Sequence, residues 1–170
     1  MNRLLARHIQ ARSQEVVTIG SSSGGHLALL AALTPYAEEE HGTEIWAKDE
    51  WTSPQSIDGS VPAVGAFWAP VDPAARFMYA KSLDNQLGRR LMTNSIAYFE
   101  SEEAMREASI SRVVSEETTA RLPRIWFAQA GNDQNVPAEI VQNLEQAYRT
   151  AGGVFEIITY PGSPHGFVHA

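Results

Sequence analysis

The fold prediction starts from the stretch VVTIGSSSGGHLALLAAL, which runs from Val16 to Leu33. Its first residues, Val16 to Ile19, are β-branched and mostly apolar, which is typical of a buried strand of a parallel sheet. Its last residues, Leu27 to Leu33, are rich in alanine and leucine on all sides, which is typical of a covered helix. Three serines between glycines join the two segments. We therefore predict a tight strand-to-helix turn that exposes one side chain.

The rest of the chain continues the alternation of strands and helices. Alternation of this kind predicts a parallel sheet with right-handed crossovers. We expect an α/β fold, with a mostly parallel sheet of about four strands flanked by helices, in one domain over residues 1–170. The remaining predicted elements are strands at 61–68, 124–130 and 154–160, helices at 2–12 and from Pro137 to the glycine pair at 152–153, helical pieces over 74–121, and a polar surface connection at 36–60.

Composition excludes several classes of protein and site. The chain has 170 residues, 44% of them hydrophobic, and a net charge of −7 from 20 acidic and 13 basic residues. This negative charge is unfavourable for binding nucleic acid or an anionic membrane, so we expect neither as a partner. There are no cysteines, which rules out disulfides, thiolate metal sites and a cysteine nucleophile.

The sequence carries no recognisable signal for targeting, membrane insertion or cofactor binding. No apolar run approaches the ~18 residues of a membrane-spanning helix, and residues 1–14 lack the apolar core of a signal peptide, so we expect a cytoplasmic protein. No H-x-x-x-H or H-x-H spacing indicates a metal site. The phosphate-binding loop pattern fails because His26 stands where that pattern needs lysine. We expect neither a cofactor nor a metal.

The turn after the first strand matches the G-x-S-x-G motif of a nucleophile elbow. In Gly20-Ser21-Ser22-Ser23-Gly24 the middle serine would stand above the sheet, and both glycines would leave room where side chains collide. The turn is also a helix N-terminus, whose free N–H groups and dipole favour negative charge. We therefore predict Ser22 as a nucleophile and the backbone amide of Ser23 as a donor to an oxyanion.

Two further residues supply the base and the carboxylate that a serine nucleophile needs. His165 lies in a Pro/Gly-rich loop just after the last predicted strand, and Asp133 follows the third one. The carboxyl ends of parallel strands share one edge of a sheet, where Ser22 is also expected. We therefore predict His165 as the base and Asp133 as the acid that orients it.

Three segments resemble those of α/β-hydrolase esterases and lipases, in the group that includes hormone-sensitive-lipase-like and acetyl-esterase-like enzymes. They are GSSSGGHLALLAA at 20–32, GNDQNVP at 131–137 and YPGSPHGF at 160–167. The resemblance implies Ser22 as nucleophile, Asp133 as acid and His165 as base. It also implies a serine esterase that acts on a small-molecule ester without a cofactor, with a cap-side helical insertion at 74–121.

The sequence departs from the pattern of that family at both ends. No H-G-G segment, which carries the family's second oxyanion donor, occurs in the chain, and the sequence stops shortly after His165. We therefore expect a truncated α/β-hydrolase, in which little chain remains for a long lipid groove and short acyl chains are favoured. The Val16–Ile19 strand would have an unpaired edge, which predicts a homo-oligomer through that edge or the bare faces of the sheet.

Several alternatives stay open at this stage. The chain could be a catalytically weak or dead remnant that acts as a self-associating module, or a peptidase or acyltransferase with the same three residues. Asp72 also follows a strand, although one strand earlier than the usual acid. His26 is interpreted as a structural residue. The aromatic residues near the second strand, which could line an acyl pocket or pack in the core, are Phe67, Trp68, Phe77 and Tyr79.

Overall fold

The sheet is parallel throughout, as the alternation of elements predicts. A computed structural model describes residues 16–34, 60–116 and 122–167. These residues form a four-stranded sheet in the order β1-β2-β3-β4, and each neighbouring pair is parallel. The predicted helix at 2–12 and nearly all of the connection at 36–60 lie outside the described residues. The strands are β1 (Thr18–Ser21), β2 (Ala63–Phe67), β3 (Arg124–Ala130) and β4 (Phe155–Tyr160).

Helices connect the strands and confirm the predicted α/β fold. The first helix begins at Ser23 rather than at Leu27, because the elbow turns directly into it. The sequence pattern placed the start later because serine and glycine have weak helix propensity. Three of the other helices begin at a side-chain cap, in which Asp72, Asn85 or Ser101 accepts a hydrogen bond from a backbone amide. The helices are α1 (Ser23–Leu33), α2 (Pro73–Ser82), α3 (Gln86–Phe99), α4 (Glu102–Glu107), α5 (Ile110–Glu116) and α6 (Ala138–Thr150).

The hydrophobic core lies on one face of the sheet. Aligned positions of parallel strands point to the same side, so Val64, Ile125 and Phe155 form one row of that face. All three are buried. They belong to one cluster with apolar residues of α1, α5 and α6, among which Leu29, Leu33, Ile110, Val114, Val141, Leu144 and Tyr148 are buried.

The opposite face of the sheet carries exposed apolar side chains. Ile19 on β1 is 67% exposed and Ile158 on β4 is 44% exposed. Phe67 and Trp126 lie between them and contact each other, with ring centroids 5.4 Å apart. A parallel sheet of this kind is usually covered on both faces. Ile19 and Ile158 are therefore less completely covered than the row on the core face.

The carboxyl ends of the strands bring the three candidate loops to one edge of the sheet. Ser21 at the end of β1 aligns with Phe67 at the end of β2, and Ala130 at the end of β3 aligns with Tyr160 at the end of β4. The next residues of the chain lead into the elbow, α2, the loop of Asp133 and the loop of His165. This is the edge at which open α/β sheets bind ligands.

Candidate active site

Ser22 occupies a strained backbone position between β1 and α1. Its φ of 51° and ψ of −124° lie where an L-residue meets steric cost. Its backbone N–H donates a hydrogen bond to the carbonyl oxygen of Phe67 at 2.9 Å, which ties the elbow to the end of β2. Strain that the surrounding structure maintains is typical of functional sites.

Close packing around the elbow explains one motif glycine but not the other. A Cβ at Gly20 would overlap the carbonyl group of Gly24, whereas a Cβ at Gly24 would meet nothing within 4 Å. The second tight position is Gly25, where a Cβ would come within 2.8 Å of both the Ala69 Cβ and the Gly20 carbonyl oxygen. The prediction that Gly24 prevents a collision is therefore wrong, because the helix approaches the strand at Gly25.

The three side chains predicted from the sequence lie in hydrogen-bond contact. Ser22 Oγ is 3.0 Å from His165 Nε2, and His165 Nδ1 is 2.8 Å from Asp133 Oδ2. When Nδ1–H donates to the carboxylate, the Nε2 lone pair is free to accept the serine proton. The Asp133 side chain is 1% exposed and the His165 side chain 21% exposed, so the acid is enclosed while the imidazole remains accessible.

Both carboxylate oxygens of Asp133 have partners. Oδ2 faces His165, while Oδ1 accepts hydrogen bonds from the backbone amides of Asn135 at 2.8 Å and Val136 at 2.9 Å. Oδ1 thus forms a local turn of the kind that aspartate commonly makes. The turn fixes the carboxylate so that its second oxygen points at the imidazole.

The loop of Asp133 and the loop of His165 are joined by backbone hydrogen bonds. Gly131 N donates to Tyr160 O at 2.9 Å, and Asn132 N donates to Ser163 O at 2.8 Å. A Cβ at Gly131 would stand 2.6 Å from Tyr160 O, so a side chain there would push the loops apart. The backbone therefore sets the spacing between Asp133 and His165.

An aromatic cluster, formed by Trp68, Phe167 and Tyr160, supports the loop of His165. The Phe167 ring lies 4.8 Å from the Trp68 ring and 4.9 Å from the Tyr160 ring, centroid to centroid. Trp68 is 3% exposed and has a φ of 40°. Phe167 was not assigned from the sequence, although an aromatic residue directly after His165-Gly166 was the available signal.

The other aromatic candidates make packing and hydrogen-bond contacts. Phe77 is buried like Trp68, and Phe67 packs edge-on against Trp68 with ring centroids 5.7 Å apart. Tyr79 donates its hydroxyl to the carbonyl oxygen of Gln134 at 3.1 Å. Core packing therefore accounts for Trp68 and Phe77, and Tyr79 contacts the loop of Asp133.

Asp72, the rival for the acid, and His26 both have structural roles. Asp72 caps α2, where its Oδ1 accepts a hydrogen bond from Ala75 N at 2.9 Å. His26 is buried, and its Nε2 lies 2.7 Å from the carbonyl oxygen of Ala108, to which Nε2–H donates. Burial lowers the pKa of His26, against the opposing effect of that hydrogen bond. The structural interpretation of His26 is thus confirmed.

The remaining candidate group is the backbone amide of Ser23, the first residue of α1. The first N–H groups of a helix have no carbonyl partner within the helix, so this amide is suited to a developing negative charge beside Ser22.

Within 16–34, 60–116 and 122–167, no group of three or more His, Asp or Glu side chains could hold a metal ion. None of the helices in the same ranges is long and apolar enough to cross a bilayer.

Solved structures share the fold of this chain. Thermogutta terrifontis esterase 2, a thermophilic esterase from a Planctomycetes species, matches in its propionate-bound form with a TM-score of 0.63 and 23% identity, over 97% of this chain and 51% of that chain. Its native form matches with a TM-score of 0.65 and 21% identity, over 97% and 50%. Its form phosphorylated by paraoxon matches with a TM-score of 0.61 and 21% identity, over 98% and 50%. The chain thus spans about half the length of these structures.

Sequence comparison assigns the family. No curated protein matches the chain significantly in sequence. The BD-FAE family model matches residues 4–148, which include the elbow, the loop of Asp133 and most of α6. The chain therefore belongs to the BD-FAE family and has an α/β-hydrolase-like fold.

Proposed function

We propose that this chain is a serine hydrolase that cleaves carboxylic esters, with Ser22 as nucleophile, His165 as base and Asp133 as orienting acid. The observation that carries the proposal is the continuous pair of contacts, 3.0 Å from Ser22 Oγ to His165 Nε2 and 2.8 Å from His165 Nδ1 to Asp133 Oδ2. These distances are within the range over which a base can remove a proton. The esterase activity of the structural relatives points in the same direction.

In the proposed reaction, Ser22 Oγ attacks the ester carbonyl while its proton passes to His165 Nε2. Asp133 stabilises the resulting imidazolium, and the Ser23 amide donates to the oxyanion. The imidazolium then protonates the leaving alcohol, which leaves an acyl group on Ser22. Water attacks this acyl-enzyme with His165 again as base, and the carboxylic acid departs as Ser22 recovers its proton.

We propose small esters with short acyl chains as substrates. Structures of Thermogutta terrifontis esterase 2 hold propionate or butyrate, and both share the fold of this chain. Helices α2 to α5 occupy most of the predicted cap-side insertion at 74–121. We propose that this insertion faces the substrate and that residues 1–170 form a single domain.

The test is hydrolysis of p-nitrophenyl acetate and butyrate by the purified protein and by Ser22→Ala. The proposal expects hydrolysis that Ser22→Ala abolishes and that is faster on the shorter ester. Equal background rates in both proteins would instead favour a catalytically dead, self-associating module. Faster turnover of a matched p-nitroanilide than of the ester would favour a peptidase.

We also propose that the chain forms a homo-oligomer through the β1 edge and the exposed sheet face. β1 is the end strand of the described sheet. Its Ile19 is 67% exposed, and Val17, which precedes the strand, is 48% exposed. Strand edges and apolar faces of this kind favour association. Light scattering at micromolar concentration should give an oligomer that Ile19→Glu weakens and that Leu27→Glu, a matched change at an exposed residue of α1, leaves intact. A monomer at every concentration contradicts this part of the proposal.

A further inference from the structure

Two side chains of α2 reach the loop of residues 131–137, here called the acid loop. Arg76 Nε donates to the carbonyl oxygen of Asn135 at 3.0 Å, and the Tyr79 hydroxyl donates to the carbonyl oxygen of Gln134 at 3.1 Å. Both residues lie on one face of α2, three positions apart, as neighbours on a helix do. Neither was singled out for this contact from the sequence.

The two carbonyls belong to the same two peptide groups that hold Asp133. The carbonyl oxygen of Asn135 and the amide of Val136 belong to one peptide group. That amide donates to Asp133 Oδ1 at 2.9 Å. A line of hydrogen bonds thus runs from the Arg76 guanidinium through one peptide group to the carboxylate. Hydrogen bonds in such a line polarise one another, and the charged donor at its end makes the effect stronger.

Tyr79 makes the parallel connection through the preceding peptide group. Its hydroxyl meets Gln134 O, and the amide of that same peptide is Asn135 N, which donates to Asp133 Oδ1 at 2.8 Å. Both peptide groups whose amides orient the carboxylate therefore accept a hydrogen bond from α2 at their carbonyl oxygens. The orientation of Asp133 depends on α2 as well as on its own turn.

The Arg76 guanidinium is held in place by burial, by a hydrogen-bond partner and by the nearby charge of Asp133. The residue is partly buried, and its Nη1 lies 3.4 Å from the hydroxyl of Ser95, which is itself buried. Burial lowers the pKa of Arg76, and the negative charge of Asp133 opposes that lowering. The negative charge of Asp133 therefore stabilises the Arg76 cation across the acid loop.

We infer that Arg76 is a positioning residue for the hydrolytic site, which holds Asp133 toward His165 through the Asn135–Val136 peptide group, with Tyr79 as a weaker second support. The inference rests on the proposed function, because it assigns Arg76 an effect on the reactivity of Ser22. Arg76 acts through Asp133 and touches neither the substrate nor the reacting atoms.

The test measures the second-order rate constant for labelling of Ser22 by a fluorophosphonate probe, at a temperature where every variant is folded. Arg76→Met should slow labelling about 10-fold, because small displacements of a catalytic group are costly. Tyr79→Phe should slow it about 3-fold, and Arg76→Lys should recover most of the loss because the charged donor returns. Arg106→Met, which removes an exposed arginine paired with Glu103, should stay within about twofold.

The decisive comparison repeats Arg76→Met in the background of Asp133→Asn. Because the inferred effect passes through the Asp133 carboxylate, adding Arg76→Met should slow the Asp133→Asn variant further by less than about twofold. An equal loss in both backgrounds, or no loss in either, overturns the positioning role while leaving the proposed hydrolase intact. A folded wild-type protein that takes up no label overturns the proposed function and, with it, this inference.

Discussion

Asp133 and His165 are separated by 32 residues in the chain, yet Oδ2 of one lies 2.8 Å from Nδ1 of the other. They meet because β3 and β4 are parallel neighbours whose last residues, Ala130 and Tyr160, are aligned. Both loops leave the sheet at the same edge and are joined there by backbone hydrogen bonds. The contact therefore follows from the order of the strands. Substitutions of the side chains that leave the backbone in place should change the chemistry without changing the fold.

The first prediction concerns this contact and uses Asp72 as its control. Asp133→Asn should lower kcat for an ester by about 10³–10⁴, because an amide opposite Nδ1 favours the tautomer in which Nε2 carries the proton. Asp72→Asn should leave kcat within about twofold, since asparagine also caps a helix. Steady-state kinetics on p-nitrophenyl acetate measures both. A large loss in Asp72→Asn with little loss in Asp133→Asn would reverse the assignment.

The second prediction concerns the strain at Ser22. Ser22→Gly and Ser22→Ala both remove the hydroxyl, but only glycine adopts a φ of 51° with a ψ of −124° without steric cost. Ser22→Gly should therefore be more stable than Ser22→Ala by about 1 kcal/mol, although glycine is usually the less stable of the two. Urea unfolding of the two variants measures the difference. Greater stability of the alanine variant would show that the elbow is not strained.

The third prediction separates the two motif glycines. Gly20→Ala should prevent folding or destabilise severely, because the new Cβ would overlap the Gly24 carbonyl. Gly24→Ala lies in the first turn of α1 and meets nothing within 4 Å. It should change the free energy of unfolding by less than about 1 kcal/mol, in the stabilising direction. Expression level and thermal unfolding distinguish the two. A folded Gly20→Ala protein of normal stability would contradict the packing described here.

The fourth prediction concerns the pH dependence of stability. Burial lowers the pKa of His26 below the ordinary value of 6.5, so the unfolded chain binds a proton at this site before the folded protein does. Stability should therefore decrease as the pH falls through about 6.5 towards the folded pKa, by at most about 1.4 kcal/mol per pH unit. His26→Gln, which keeps an N–H donor near Ala108 O, should lose this contribution.

Urea unfolding at about pH 7.5 and about pH 5.5 measures the effect as the difference between wild type and His26→Gln. The stability gap between the two proteins should change with pH in the direction that disfavours wild type under acid conditions. A constant gap would mean that His26 binds its proton equally well in the folded and unfolded states.

Much of the fold was predictable because it follows from local sequence patterns. The apolar β-branched run before Gly20 and the alternation of strands and helices were sufficient for a parallel sheet. The positions of Ser22, Asp133 and His165 after strand ends then implied one shared edge. Their contact distances were not predictable, because they depend on backbone bonds such as that between Asn132 and Ser163.

The supporting residues of the site were harder to foresee. Arg76 and Tyr79 occupy an ordinary helical spacing, and their partners are backbone carbonyls, which leave no pattern in the sequence. The sequence also did not show that a side chain would be excluded at Gly25 rather than at Gly24, because this depends on how closely α1 approaches Ala69. Contacts between distant segments decide both features, and a single sequence records such contacts only weakly.

The proposed chemistry depends on Ser22 being a nucleophile that His165 activates. The most direct measurement is mass-spectrometric mapping of the adduct formed by a fluorophosphonate probe. We predict one modified residue, Ser22, with neither Ser21 nor Ser23 labelled, and labelling slowed by at least about 10²-fold in His165→Gln. A folded protein without an adduct at Ser22, or with labelling unchanged in His165→Gln, would show that Ser22 is not a nucleophile activated by His165.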